Sequence, residues 1–286
     1  MLITEFHKLY KKNGLKPKII KLFQEVIYSY FKNNGRDFPF RENITPYNVV
    51  VSEMMLQQTQ TSRVSEKFLK FVKEFPDFQT LSNVPLENIL KAWQGLGYNR
   101  RAIALKKIAE KIIDEYDGKL PESIEILKTF PQIGHNTASS ILTFAFNKPT
   151  IFIETNIRCV YFYFFFPNKR NIDDKQILPL LKKTIDKDNP RTWYYALMDY
   201  GVMLKKKFPD LNKRSAHYRK QSSFKGSNRE LRGRILKILL KEKAVTKTAL
   251  LKRLKISLKK LENILTQLEK EEFVIREEQR ILISKL

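Results

Sequence analysis

Apolar positions recur at helical spacing, three and four residues apart, along most of this chain. The pattern predicts helices over Ile19–Phe31, Tyr47–Gln58, Val64–Glu74, Leu86–Trp93, Arg100–Tyr116, Ile124–Thr129, Thr137–Phe146 and Thr155–Phe166. Residues that break helices fall between them: Asn34-Gly35, Phe75-Pro76, Gly95-Leu96-Gly97, Asp117-Gly118, Pro131, Asn147-Lys148-Pro149 and Pro167-Asn168. No convincing alternation of apolar and polar residues precedes position 270. Residues 1–225 are therefore expected to form an all-α domain.

The pattern changes near Arg229. Leu231–Leu240 predicts one helix. Thr246 can cap a second over Lys247–Leu254, and Ser257 a third over Leu258–Glu271. Phe273–Arg276 and Arg280–Ser284 then alternate like two short strands around a polar turn. Three helices followed by a hairpin is the outline of a winged helix-turn-helix over residues 229–286. The polar, basic stretch Phe208–Ser227 is expected to be a linker that wraps the first domain.

Charge narrows the choice of partner. The 286 residues hold 54 Lys and Arg against 30 Asp and Glu, a net charge of +24. An excess that large suits a polyanion, either nucleic acid or an anionic membrane surface. With 42% hydrophobic residues the chain can bury a core, which excludes overall disorder. The one cysteine, Cys159, excludes an intrachain disulfide and any site needing several thiolates from one chain. The apolar run Cys159–Phe166 is far shorter than the ~20 residues that span a bilayer. Glu5 and His7 stand where a signal peptide would be apolar. These features predict a soluble intracellular protein, cytoplasmic and associated with the nucleoid.

The segment Leu127-Lys-Thr-Phe-Pro131-Gln-Ile133-Gly134-His135-Asn136-Thr137-Ala138 reads as helix, proline, glycine, helix. Such a hairpin aims backbone N–H groups and a helix N-terminus at a phosphate and holds DNA without reading its sequence. Gly134 is expected to give the backbone a positive φ and a close approach.

Other segments make the pattern specific: Arg36-Asp-Phe-Pro-Phe-Arg41, Thr45-Pro-Tyr-Asn-Val-Val-Val-Ser-Glu53-Met-Met-Leu-Gln57-Gln58-Thr59-Gln60, Ala92-Trp-Gln-Gly-Leu-Gly-Tyr98-Asn-Arg100-Arg-Ala102 and Pro149-Thr-Ile-Phe-Ile-Glu154-Thr-Asn-Ile-Arg158. Over roughly residues 20–205 the chain resembles the helix–hairpin–helix DNA glycosylases, and within them the adenine glycosylases of the MutY type. The resemblance implies base excision from duplex DNA. Such chemistry needs a flipped base, a proton for the leaving base, and negative charge beside the developing oxocarbenium ion. It gives Glu53 the role of acid toward adenine N7. Partial burial among Ser52, Met54, Met55 and Leu56 would keep that carboxyl protonated near neutrality. Gln57, Gln58 and Thr59 would enter the minor groove, with Gln58 and Tyr98 intercalating. Arg100, Ile133, Gly134, His135 and Thr137 would complete the DNA contacts.

Four departures from the family bear on activity. Its aspartate after the hairpin is Glu154 here, whose extra methylene moves the carboxylate by about 1 Å, a displacement able to cost roughly 100-fold. The first glycine of the hairpin is Gln132. The lysine with which bifunctional relatives form a Schiff base is Asn136, placed in the catalytic site but unable to form an imine, so lyase chemistry is not expected. The four cysteines of a [4Fe–4S] cluster are missing, so no cofactor is expected. Lys205, Lys206, Lys207, Lys213, Arg214 and Arg219 would contact phosphates directly. The winged segment occupies the place of the family's domain that recognises 8-oxoguanine. The reading is a monomeric, monofunctional, cluster-free glycosylase that removes adenine opposite guanine or 8-oxoguanine. Two rivals are removal of thymine from T:G pairs and a weak or inactive binder of mismatched DNA.

Overall fold

The computed structural model describes residues 3–285. Three predicted helices appear with the expected bounds: Leu86–Trp93, Arg100–Tyr116 and Lys247–Leu254. Others shift by one to three residues at one or both ends. The helix Pro46–Leu56 starts where Thr45 Oγ1 accepts from the Asn48 N–H at 3.1 Å, with Pro46 pre-set for its first turn. Five helices lie outside the predicted set: Ile3–Asn13, Pro39–Glu42, Phe78–Asn83, Asp174–Thr184 and Pro190–Lys207. Two of these carry cap signals in the sequence. Asp77 accepts from the Thr80 N–H at 2.7 Å, and Asp173 forms a capping box with Gln176.

The chain divides into two compact units. One comprises the chain up to Ile44, Glu122–Lys128 and Ile133–Lys220. Its core is aromatic. Phe6 and Phe23 meet Phe164 edge-on at 5.1 and 5.0 Å, and Phe23 meets Trp193 at 5.6 Å. The apolar run from Cys159 is thus the inward stripe of the helix Thr155–Phe165. Part of the expected linker is fixed in place. Leu211 is buried, the Ile172 N–H donates to the Arg214 carbonyl at 2.9 Å, and the Ala216 N–H donates to the Ile172 carbonyl at 3.0 Å.

The other unit comprises Thr45–Pro121, Thr129–Gln132 and the chain from Gln221. The predicted winged segment therefore shares a unit with the helix that carries Glu53. It is built as Asn228–Glu242, strand β1 (Ala244–Thr246), Lys247–Leu254, Leu258–Lys270, β2 (Val274–Glu277) and β3 (Arg280–Ile283), with antiparallel sheet order β1-β3-β2. Thr246 and Ser257 cap the second and third helices as predicted. Strand β1 is absent from the sequence reading because three residues are too few to show alternation; Val245 pairs with Ile281. This is a winged-helix-like arrangement on an otherwise helical fold.

Candidate active site and nucleic-acid interface

Glu53 is half-buried on the last turns of Pro46–Leu56, between the buried Ser52 and Met54. The end of that helix has carbonyls without intrahelical partners. Arg101, only 3% exposed, supplies them. Its Nη1 donates to the carbonyls of Met54, Met55 and Gln57 at 2.9, 2.8 and 2.6 Å. Its Nη2 donates to Thr59 Oγ1 at 3.0 Å and to the carbonyls of Leu96 and Gly97 at 3.3 and 3.0 Å. Burial pulls its pKa down to about 10, so it stays charged at neutral pH. One buried cation thus binds the acid-bearing helix, the Gln57–Thr59 loop and the turn before Tyr98. Sequence reasoning quoted Arg101 without a role. The available signal was its place one residue into the inward face of Arg100–Tyr116.

The predicted loop residues come together on this frame. Gln58 is exposed in the left-handed region, with φ 54°. Gln57 Nε2 donates to the Gln132 carbonyl at 3.3 Å, joining the loop to the hairpin turn. Tyr98 is also left-handed, with φ 47°. Its hydroxyl accepts from Arg229 Nη1 at 2.9 Å and from Gln221 Nε2. Arg100 is engaged elsewhere: its Nε donates to Glu271 at 2.8 Å, and Arg232 holds the same carboxylate at 3.0 Å. Burial alone would raise the Glu271 pKa, but the bonds from Arg100 and Arg232 outweigh it and lower it. Lys107 pairs with the neighbouring Glu272.

The hairpin departs from expectation at one glycine. Gly134 is extended, at φ −91° and ψ −179°, and the positive φ falls on Gln132 at 61°. The turn thus keeps its left-handed residue at the position where the family has its first glycine. Ile133, predicted to contact DNA, is buried. His135 is exposed at the first position of His135–Phe146, with Thr137 half-buried beyond it.

Glu154 stands at the N-cap of Thr155–Phe165, its carbonyl accepting from the Arg158 N–H at 2.9 Å. Desolvation raises its carboxyl pKa, and the Arg158 guanidinium opposes the rise. Arg158 is itself held by Asp174 at 2.7 and 2.6 Å. Asn136 fixes the peptide just before Glu154: its Nδ2 donates to the Ile153 carbonyl at 3.1 Å, and its Oδ1 accepts from the Ile153 N–H at 3.5 Å. Gly201 allows the close approach of Pro190–Lys207. A Cβ there would lie 2.7 Å from the Asn156 carbonyl carbon, two residues past Glu154.

The predicted phosphate contacts separate. Lys206 is exposed. Lys205 is half-buried and donates to Asn156 Oδ1 at 3.3 Å. Arg214 is used structurally, donating to the carbonyls of Lys169, at 2.7 Å, and Phe166. Lys213 pairs with Asp210 at 2.7 Å. Sequence reasoning also passed over Asp199, a 2%-exposed carboxylate gripped by Arg36 at 2.8 and 2.6 Å and by Arg41 at 3.0 Å. Burial would raise its pKa, but these arginines outweigh it and lower it.

A four-thiolate iron–sulfur cluster does not fit this donor set. Cys159 is the only cysteine, and burial pushes its thiol up to about 11. Among the described residues no group of three or more His, Cys, Asp or Glu is placed to hold a metal, and no helix is long and apolar enough to cross a membrane.

The geometry defines a helix–hairpin–helix framework with a carboxylate-bearing helix and an aromatic turn. Residues 51–187 match the family described as HhH-GPD superfamily base excision DNA repair protein, and the chain carries a domain of that family. It is 36% identical over 188 residues to the adenine DNA glycosylase of Buchnera aphidicola subsp. Baizongia pistaciae, covering 64% of this chain and 53% of that relative. The chain thus spans about half the length of that protein. It is 26% identical to the thymine/uracil-DNA glycosylase of Methanothermobacter thermautotrophicus, covering 64% and 85%. A solved thermostable thymine-DNA glycosylase superposes with a TM-score of 0.58 at 25% identity, covering 64% of this chain and 86% of that one.

Proposed function

We propose that this chain is a monofunctional DNA glycosylase that removes adenine mispaired with guanine or 8-oxoguanine. Glu53 donates its proton to adenine N7. The bond from C1′ to N9 breaks with its electron pair passing to the base. Glu154, ionised, stabilises the sugar cation until water adds at C1′ and returns a proton to the Glu53 carboxylate. Asn136 positions Glu154 through the Ile153 peptide and forms no imine, so the product keeps an abasic site. Gln57, Gln58, Thr59, Tyr98, Gly134, His135, Thr137 and Lys206 face the duplex, and Ile133 contributes its backbone. The enzyme acts as a cytoplasmic monomer on nucleoid DNA and needs no cofactor.

The observation that carries this reading is the grip of Arg101 on the end of the Glu53 helix and on both adjoining turns. It holds an acid and two duplex-entering loops in one rigid piece. The similarity to thymine glycosylases supports a second reading, thymine release from T:G pairs. Single-turnover base release on A:8-oxoguanine, A:G and T:G duplexes decides between them. Adenine release that is lost in Glu53→Gln is expected. Thymine release alone would replace the substrate, and no release from any duplex would leave a binding protein.

A further inference from the structure

The winged segment carries charge that the excision reading does not use. On its inner side the helices Lys247–Leu254 and Leu258–Lys270 bury Leu250, Leu254, Leu261, Ile264, Leu265 and Leu268. Between them Lys255 turns the chain in the left-handed region, at φ 52°. On the outer side Lys252, Lys255, Lys259 and Lys260 are all exposed. Among the described residues none of these four has a carboxylate partner. Six of the eight acidic residues from 229 to 286 are already committed to other cations: Glu242 to Arg253, Glu262 to Lys247 and Arg276, Glu269 to Arg276, Glu271 to Arg100 and Arg232, Glu272 to Lys107, and Glu277 to Lys285. Leu258, 55% exposed, sits among the lysines on the first turn of the third helix.

This face is fastened to the Tyr98 turn. Glu271, just past the end of Leu258–Lys270, is held by Arg100 and Arg232, and Tyr98 is held by Arg229. Lys259 and Lys260 precede that anchor by twelve and eleven positions of the helix, ~16–18 Å at the helical rise. That distance is about five base pairs of duplex. A duplex reaching the Tyr98 turn therefore extends far enough to meet the cationic face. Four uncompensated ammonium groups around an exposed leucine complement a phosphate backbone beside a groove, where an apolar side chain meets sugar or a thymine methyl.

We propose that Lys252, Lys255, Lys259 and Lys260, with Leu258, form a second duplex-DNA contact surface that acts together with the Tyr98 turn. The proposal rests on the reading of this chain as a DNA-acting enzyme. Its test measures binding without base release, so the two can fail separately. The full-length protein is titrated against an undamaged duplex two turns long over a range of salt. One variant changes the four lysines to glutamine; the control changes Lys8, Lys11, Lys12 and Lys18, removing the same charge elsewhere. The slope of log affinity against log salt should fall by about 3–4 in the first variant and by less than about 1 in the control. Arginine at all four positions should restore the parent slope, which separates lost contacts from lost folding. Equal falls in both variants, or no fall in either, would overturn the proposal. So would a loss confined to single-stranded RNA used as the probe.

Discussion

The Tyr98 hydroxyl and the Arg229 guanidinium are joined by a 2.9 Å hydrogen bond that spans 131 positions of sequence. The same guanidinium lies 5.8 Å from the Tyr98 ring centre. A hydrogen bond to a charged group contributes about 1.5–3 kcal/mol. In a double-mutant cycle, Tyr98→Phe and Arg229→Met should each lower unfolding stability, and the pair should lose less than the two single losses added. Strict additivity would show that the bond couples nothing.

Arg101 should tolerate no replacement. Lysine keeps the charge but not the planar fork that reaches six acceptors. Arg101→Lys and Arg101→Met are expected to lose about 3–5 kcal/mol of stability, because buried carbonyls are left without donors. Chemical denaturation measures this, and a loss under about 1 kcal/mol would sink it.

Gln132→Gly should stabilise the protein. A left-handed residue with a Cβ costs about 1–2 kcal/mol, and the extra freedom of glycine in the unfolded chain returns about 0.5–1 of that. A net gain of about 0.5–1 kcal/mol is expected in thermal or chemical unfolding, with no gain for Gln132→Ala. The Gln57 contact is to the Gln132 carbonyl and survives either change.

In the proposed mechanism the raised pKa of Glu154 is expected to set the acid side of the rate profile. If the ionised carboxylate stabilises the sugar cation, the single-turnover rate climbs as pH rises through a pKa above the ordinary 4.5. Arg158 holds that value down, so Arg158→Met should move the acid limb to higher pH. An unmoved limb would assign it to another group. The stability sign is opposite: a carboxyl that prefers its proton in the folded state loses its contribution as pH rises from the unfolded pKa through the folded one.

Asp199 acts in the reverse sense. Its pKa is lowered, so its contribution is complete above about 4 and is lost as pH falls through the folded value. Asp199→Asn leaves Arg36 and Arg41 facing a neutral amide. It should cost about 3–5 kcal/mol near neutral pH and flatten the acid limb of the stability curve. A variant with the parent's acid midpoint would contradict this.

Helices with a long apolar stripe and a capping residue are legible in the sequence, as Arg100–Tyr116 and the Thr246 and Ser257 caps show. The Pro190–Lys207 helix is not, because its buried positions include Pro190, Asp199 and Gly201, which carry no large apolar side chain to mark the stripe. The carboxylates Glu53 and Glu154 stand out through local motifs. The arginines that organise the surroundings do not, because their partners are main-chain carbonyls, which every residue type supplies. Arg101 and Arg214 both grip main-chain carbonyls, yet in the sequence Arg101 is one more cation in a basic chain and Arg214 reads as a phosphate contact. The hairpin is instructive in a different way. Its left-handed turn is retained at Gln132, so the backbone path is set by its surroundings and the missing glycine shows only as strain.

The side-chain bonds that fasten the winged segment to the Arg100–Tyr116 helix are ionic, Arg100 to Glu271 and Lys107 to Glu272, and these side chains keep some contact with water. In the proposed role, ions that would displace the protein from DNA therefore also loosen its own internal joint. Titrating the parent protein with salt reports both processes together. The number of counterions inferred from it will exceed the number of phosphates touched, and only the difference between matched variants isolates the interface.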